Sequence, residues 1–278
     1  MDEASVARFR LVAIDLDGTL LDSNHRIHAR TVRMLHEVER RGIEIVLASA
    51  RMPRSILKVA RELGIGGRII AYGGAVVLDT KSGAVLDAQT ISPTASKHVL
   101  SVGIDAGVHV SLYVDDEWYV EDLDDAARAE SRAANVVPNV VQDLGRHLGP
   151  GAAKILLVGE TARLQRAIRS LERSRVSFSH SKPDYLEVGP LGVSKGSALR
   201  RLLEIGGIGA KEAMAIGDNY NDVEMLRTAG CAVVVANAPD EVKQHADYLA
   251  PSNDEEGVAF ALERLCLVKQ QRRAAERE

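Results

Sequence analysis

The sequence predicts an α/β protein: a doubly wound, mostly parallel sheet with an α+β domain inserted near its middle. Three features point there. Short continuous apolar runs closed by Gly, Asp or Ser alternate with segments of helical period at both ends of the chain, the pattern of parallel strands joined by right-handed crossovers. Between residues 82 and 187 that alternation gives way to mixed helices and hairpins. It then resumes, so 1–81 and 188–278 are expected to form one discontinuous domain and 82–187 a second.

The elements follow in order. Leu11–Ile14 reads as a buried strand running into Asp15-Leu16-Asp17-Gly18-Thr19. His28–Arg41 carries Val32, Leu35 and Val38 at helical spacing and stops at Gly42. Ile43–Ala48 is a second strand, Pro53 suits the first turn of a helix to Leu63, and Arg68–Ala71 is a third strand. Tyr72-Gly73-Gly74-Ala75 is a turn-rich joint before a hairpin around Lys81-Ser82-Gly83. In the insert, helices are expected over Ser92–Asp105, Leu123–Asn135 and Thr161–Arg173. Its strands are Val108–Val114, Trp118–Val120, Ala153–Val158, Val176–Ser179 and Tyr185–Val188. Afterwards come helix Ser194–Ile205, strand Ala213–Ile216, helix Asn221–Thr228 and strand Ala232–Val235. Helices Pro239–His245 and Gly257–Leu267 flank a short strand at Tyr248-Leu249, and the charged tail Lys269–Glu278 reads as a fraying helix end.

Composition excludes several classes. At 278 residues the chain is long enough for substantial cores, and its net charge of −4 argues against a nucleic-acid partner. No run approaches the ~18 apolar residues of a membrane span, and no secretory apolar core opens the chain. Two cysteines, Cys231 and Cys266, give neither a disulfide framework nor metal spacing and read as small core residues, so a cytoplasmic setting is expected. Nothing sets an oligomeric state.

The chemistry concentrates in four places. Asp15 and Asp17 stand just past a strand end, where ligands bind in open α/β sheets and unpaired carboxylates are costly. Gly217-Asp218-Asn219-Tyr220-Asn221-Asp222 follows another apolar strand; alone it could be an ordinary helix cap. Lys195 opens a helix after Gly192-Val193-Ser194, where a lysine is often merely solvated. Ser49 and Arg51 close the second strand; Ser49 could simply cap the Pro53 helix, and Arg51 suits either a phosphate contact or a structural ion pair.

Taken together and in this order, the four stretches resemble the motifs of the haloacid dehalogenase-like hydrolases, beginning with DxDGT and ending with GDxxND. Asp184–Val188 followed by Gly192-Val193-Ser194-Lys195, and Asn253–Ala259, are similar to the Cof-type branch, which carries a type IIB cap. The resemblance implies a Rossmann-like core with the insert as cap, and a phosphatase acting on a small phosphomonoester. Asp15 is then the nucleophile and Asp17 the general acid and base. A magnesium ion would be held by the Asp15 and Asp218 side chains and the Asp17 carbonyl, with Asp222 orienting a water or a ligand. Lys195 would bridge Asp15 and the phosphoryl oxygens, Ser49 would donate its hydroxyl and backbone N–H, and Asn221 with the Leu16–Gly18 backbone would complete the phosphate site. Arg51 joins that site in the phosphate-contact reading.

Two departures stand out: Ala50 where relatives read Gly, and Tyr72-Gly73-Gly74-Ala75 where they often read Asn-Gly-Ala. The four aspartates and a phosphate dianion outweigh one magnesium and Lys195 by three negative charges, so like-charge crowding is expected to keep Asp17 protonated. Trp118, Tyr119, His109 and His180 are candidate leaving-group contacts, or else cap core and surface. A sugar phosphomutase of related fold and a non-catalytic phosphate-binding regulator are the alternative functions.

Overall fold

The computed structural model describes residues 9–267. The expected tail at 269–278 lies outside them. In chain order the elements are β1 (Leu11–Asp15), α1 (Ala29–Arg40), β2 (Glu44–Ala48), α2 (Pro53–Leu63), β3 (Gly67–Ala71), β4 (Val76–Asp79) and β5 (Val85–Ala88). The insert follows with α3 (Pro93–Asp105), β6 (His109–Val114), β7 (Glu117–Val120), α4 (Asp125–Ala134), β8 (Asn139–Val140), β9 (Lys154–Val158), α5 (Thr161–Leu171), β10 (Val176–Lys182) and β11 (Tyr185–Pro190). The last third holds α6 (Lys195–Gly206), β12 (Ala213–Gly217), α7 (Val223–Thr228), β13 (Cys231–Val235), α8 (Asp240–Lys243), β14 (Tyr248–Ala250) and α9 (Gly257–Leu262).

Two sheets result. The first runs β14-β13-β12-β1-β2-β3-β4-β5, parallel from β14 to β3, with β4 and β5 antiparallel at one edge. The second runs β10-β11-β9-β6-β7-β8 and is antiparallel except for β7–β8. Sheet membership moves both expected joints. β5 pairs with β4 in the first sheet, and the joint after residue 187 falls inside β11. We therefore propose 9–88 with 191–267 as the core and 89–190 as the cap. Strand β8 and a 3₁₀ turn at Leu144–His147 lacked a periodic signal in sequence. The helix expected from Asn221 begins as a 3₁₀ turn, Tyr220–Asp222.

The two-residue period of β1 divides the core. Val12 and Ile14 face one apolar cluster with α1, α2 and α9, while Leu11 and Ala13 face another with α6 and α7. Leu11, Val12 and Ile14 are each 0% exposed, a burial that contributes about 1.5–3 kcal/mol per side chain. The alternation puts Asp15 on the Leu11/Ala13 side, under the N-terminus of α6.

The cap sheet also has two faces. Leu112, Ile155, Leu157, Leu186 and Val188 pack within the cap, whereas Tyr113, Trp118, Leu156 and Tyr185 join the core's own cluster. Polar contacts reinforce that seat. Tyr72 Oη donates to the Asp115 carbonyl at 3.1 Å, Ser55 Oγ to Ala134 O at 2.8 Å, and Arg54 pairs with Glu117 at 3.0 Å. Tyr72, the departure noted in sequence, thus docks the cap at its joint. The following glycines allow it: a Cβ on Gly74 would lie 2.1 Å from the Ser194 carbonyl oxygen.

Candidate active site

The C-terminal ends of β1, β2 and β12 and the start of α6 converge beneath the cap. They enclose a cavity of about 170 Å³ lined on the core side by Asp15, Asp17, His25, Ser49, Arg51, Lys195, Asn219 and Asn221. Lys195 is held there by its helix start. Ser194 caps α6 reciprocally with Ser197, at 3.0 and 2.9 Å, and Lys195 follows as the first helical residue. Its ammonium, 1% exposed, donates to Asp15 Oδ1 and, at 2.7 Å, to Asp222 Oδ1. Burial opposes that charge, but the Asp15 and Asp222 carboxylates outweigh it and hold the Lys195 pKa above the ordinary lysine value.

Asp222, fully buried, turns its other oxygen to the backbone N–H groups of Asp218 and Asn219 at 3.1 and 3.0 Å. That fixes the β12–α7 turn and aims Asp218 at β1. There Thr19 Oγ1 donates to Asp218 Oδ1 at 2.7 Å, a positioning role that sequence reading did not assign. Gly18 makes the approach possible: its φ is +85°, and a Cβ would lie 2.5 Å from Asp218 Oδ2. Asp15, Asp218 and Asp222 each offer a carboxylate oxygen, all within 4.8 Å of one another. Burial first, then Asp222 and Asp218, push the Asp15 carboxyl well above its usual range against the pull of Lys195. Burial and Asp222 raise Asp218 to about 6. Three crowded carboxylates beside one ammonium leave two negative charges, and a hard divalent cation would neutralise both. The donor set fits such an ion. Asn221 Oδ1 is buried without a hydrogen-bond partner among the described residues and faces the same cavity.

Asp17 behaves otherwise than expected. Its side chain is outside the carboxylate cluster, is 44% exposed, and is gripped by Arg51 through Nε at 2.7 Å and Nη2 at 2.5 Å. Like-charge crowding is therefore not its situation. Arg51 also revises the charge balance: with all four aspartates ionised, two cations face them, and a divalent ion brings the site without substrate to neutrality. Ser49 is corrected too. Its backbone N–H is spent on the Ile70 carbonyl at 2.9 Å, and its hydroxyl accepts from Arg51 N at 3.1 Å, which leaves only the hydroxyl proton for a ligand. It caps that turn rather than α2, whose N-cap is Met52. The Leu16 side chain is wholly in the core.

The four cap candidates are absent from the cavity lining. Trp118 is buried and donates to Ser111 Oγ at 2.9 Å, Tyr119 stacks on His147, and His109 bonds Asp124 and Ser111. His180 lies on β10. The cap lines the cavity instead with Glu130, Lys154, Ser181, Lys182, Tyr185 and Glu187. No periodicity marks these residues in sequence, because only the packing of the sheet face onto the core selects them. Cys231 is buried and Cys266 half-buried, and no helix among the described residues is long and apolar enough to cross a membrane.

Known proteins share this sequence pattern and fold. The profile of the haloacid dehalogenase-like hydrolase family matches residues 12–262. The HMP-PP phosphatase of Serratia proteamaculans is 32% identical over 240 residues, covering 84% of this chain and 86% of that protein. A haloacid dehalogenase-like hydrolase from Bacteroides thetaiotaomicron superposes with a TM-score of 0.86 at 31% identity, covering 92% of this chain and 99% of that one. The subclass IIB sugar phosphatase BT4131 shares the fold, with a TM-score of 0.82 at 21% identity, over 93% of this chain and 100% of its own.

Proposed function

The chain belongs to the haloacid dehalogenase-like hydrolases, and from that membership we propose a magnesium-dependent hydrolysis of a small phosphomonoester through a phosphorylated Asp15. The observation that carries the reading is the Lys195 ammonium shared by Asp15 and Asp222 on the cavity floor, with Asp218 alongside. The likeness to an HMP-PP phosphatase supports a small phosphorylated metabolite as substrate.

Asp15 is the nucleophile: its carboxylate attacks phosphorus in line, and the alcohol oxygen leaves toward the cap. Lys195 holds Asp15 in place and, together with the Ser49 hydroxyl and the Asn221 amide, offers donors to the phosphoryl oxygens. Arg51 occupies one lone pair on each Asp17 oxygen, which fixes the carboxyl plane and leaves the outer lone pairs for a proton. From there Asp17 protonates the leaving oxygen, then takes a proton from the water that attacks the phosphorylated Asp15. Asp15, Asp218 and the Asp17 carbonyl, with Asp222 behind them, would hold a magnesium ion, which would supply charge neutralisation on the transferring group. The cap excludes bulk water around these residues.

Phosphate release from a panel of small phosphomonoesters, with and without magnesium, tests the reading. Asp15→Asn is expected to lose nearly all turnover, while Asp17→Asn still binds phosphate. Substantial activity in Asp15→Asn removes Asp15 as nucleophile.

A further inference from the structure

The mechanism leaves the roof of the cavity without a role. Two charged roof residues are more than nine-tenths buried, Lys154 at 4% exposure and Glu187 at 8%. The lysine is engaged: Nζ donates to the Ala50 carbonyl at 2.8 Å and sits 4.7 Å above the Tyr113 ring. Lys182 lies 4.4 Å over the Tyr185 ring. Glu187 differs. Among the described residues its carboxylate accepts no hydrogen bond and forms no ion pair, although it lines the cavity that holds Asp15. A carboxylate held against the cavity without a protein donor takes its donors from whatever fills that cavity.

Its backbone leaves it little freedom to escape into water. Glu187 sits in the middle of β11, opposite Leu156 on β9 and Ser179 on β10, with ladders on both sides. Glu130, from α4, lines the same cavity and is likewise without a hydrogen bond or ion pair among the described residues. Two carboxylates thus face the space where the leaving group must sit, beside Lys154, which gives one of its three N–H donors to Ala50, and Lys182 over the Tyr185 ring.

We infer that Glu187, seconded by Glu130, reads the leaving group: the cavity takes a phosphomonoester whose alcohol carries a hydrogen-bond donor, an ammonium ahead of a hydroxyl. The inference rests on Asp15 being the phosphoryl site. An ammonium against a carboxylate makes the stronger, charge-assisted bond.

The test compares kcat/KM of wild type and Glu187→Gln on glucosamine 6-phosphate and glucose 6-phosphate, with acetyl phosphate as a substrate lacking any such handle. Wild type is expected to favour the two sugar phosphates in that order, and Glu187→Gln to compress the ratio between them at least tenfold while acetyl phosphate hydrolysis stays within threefold. A wild type without this order, or a variant that keeps it, overturns the inference. So does an equal fall on acetyl phosphate, which marks a structural role. Retained acetyl phosphate turnover in Asp15→Asn instead defeats Asp15 as the phosphoryl site, so the two failures are distinguishable.

Discussion

Replacing Lys195 by Met removes one charge from the floor of the site and changes little of its volume. The lysine is 1% exposed, and its two partners, Asp15 and Asp222, are 4% and 0% exposed. Without it, both carboxylates remain buried with no cation between them. Breaking a buried pair from one side costs about 3–5 kcal/mol. For a chain of this size each kcal/mol moves the melting temperature about 2–4 °C, so metal-free Lys195→Met is expected to melt roughly 6–20 °C below wild type. Saturating magnesium should return part of that loss, since a bound cation supplies the missing charge. Turnover should not return, because losing a preorganised donor to the transition state costs roughly 10²–10³ in kcat. Melting curves with and without magnesium, and phosphate release on the same preparations, measure both. A variant melting within about 2 °C of wild type with kcat within about threefold would refute the assignment of Lys195.

Further consequences are checked as directly. Asp218 is raised to about 6 in the folded chain against an ordinary 3.8, so the metal-free fold binds an extra proton between those values. Its stability contribution is therefore lost as pH rises through that window, and magnesium must displace the proton below about pH 6. Titration calorimetry should show magnesium affinity falling up to tenfold per pH unit below 6, and the magnesium-induced gain in melting temperature should be larger at pH 7.5 than at pH 5. Arg51→Lys keeps the charge but loses the two-pronged grip on Asp17, so kcat should fall about 10–100-fold without recovery at high magnesium, as steady-state kinetics would show. Gly18→Ala places a methyl 2.5 Å from Asp218 Oδ2 at a φ of +85°. A magnesium titration of its activity should show a loss of at least about 100-fold in kcat/KM, mainly through weakened metal response.

The core was legible because its signals are local. The apolar run Leu11–Ile14 is a parallel strand buried on both faces, and Pro53–Leu63 is a helix with those ends because Pro starts it and Gly64, at φ +64°, stops it. Asp15, Asp218 and Asp222 come together because adjacent parallel strands bring their C-terminal ends together: β1 lies beside β12 with Ile14 opposite Ile216. What sequence could not give was long-range pairing. Nothing in Leu47–Arg51 says that the Arg51 guanidinium will close on Asp17 and change the charge balance of the site. Nor does it reveal that the Ser49 N–H is taken by Ile70, a ladder bond between β2 and β3. In the cap, aromatic and histidine residues drew attention by type, but Trp118 packs as core, while Glu187 reaches the cavity through the register of β11 on β9.

The account stands or falls on where phosphorus goes during turnover. With a substrate labelled in its phosphoryl group, rapid acid quench of Asp17→Asn should capture label on the protein, and peptide mapping should locate it at Asp15, because attack proceeds while water activation is slowed. Label absent at every time point while the same variant still releases the alcohol, or label on a residue other than Asp15, contradicts the account.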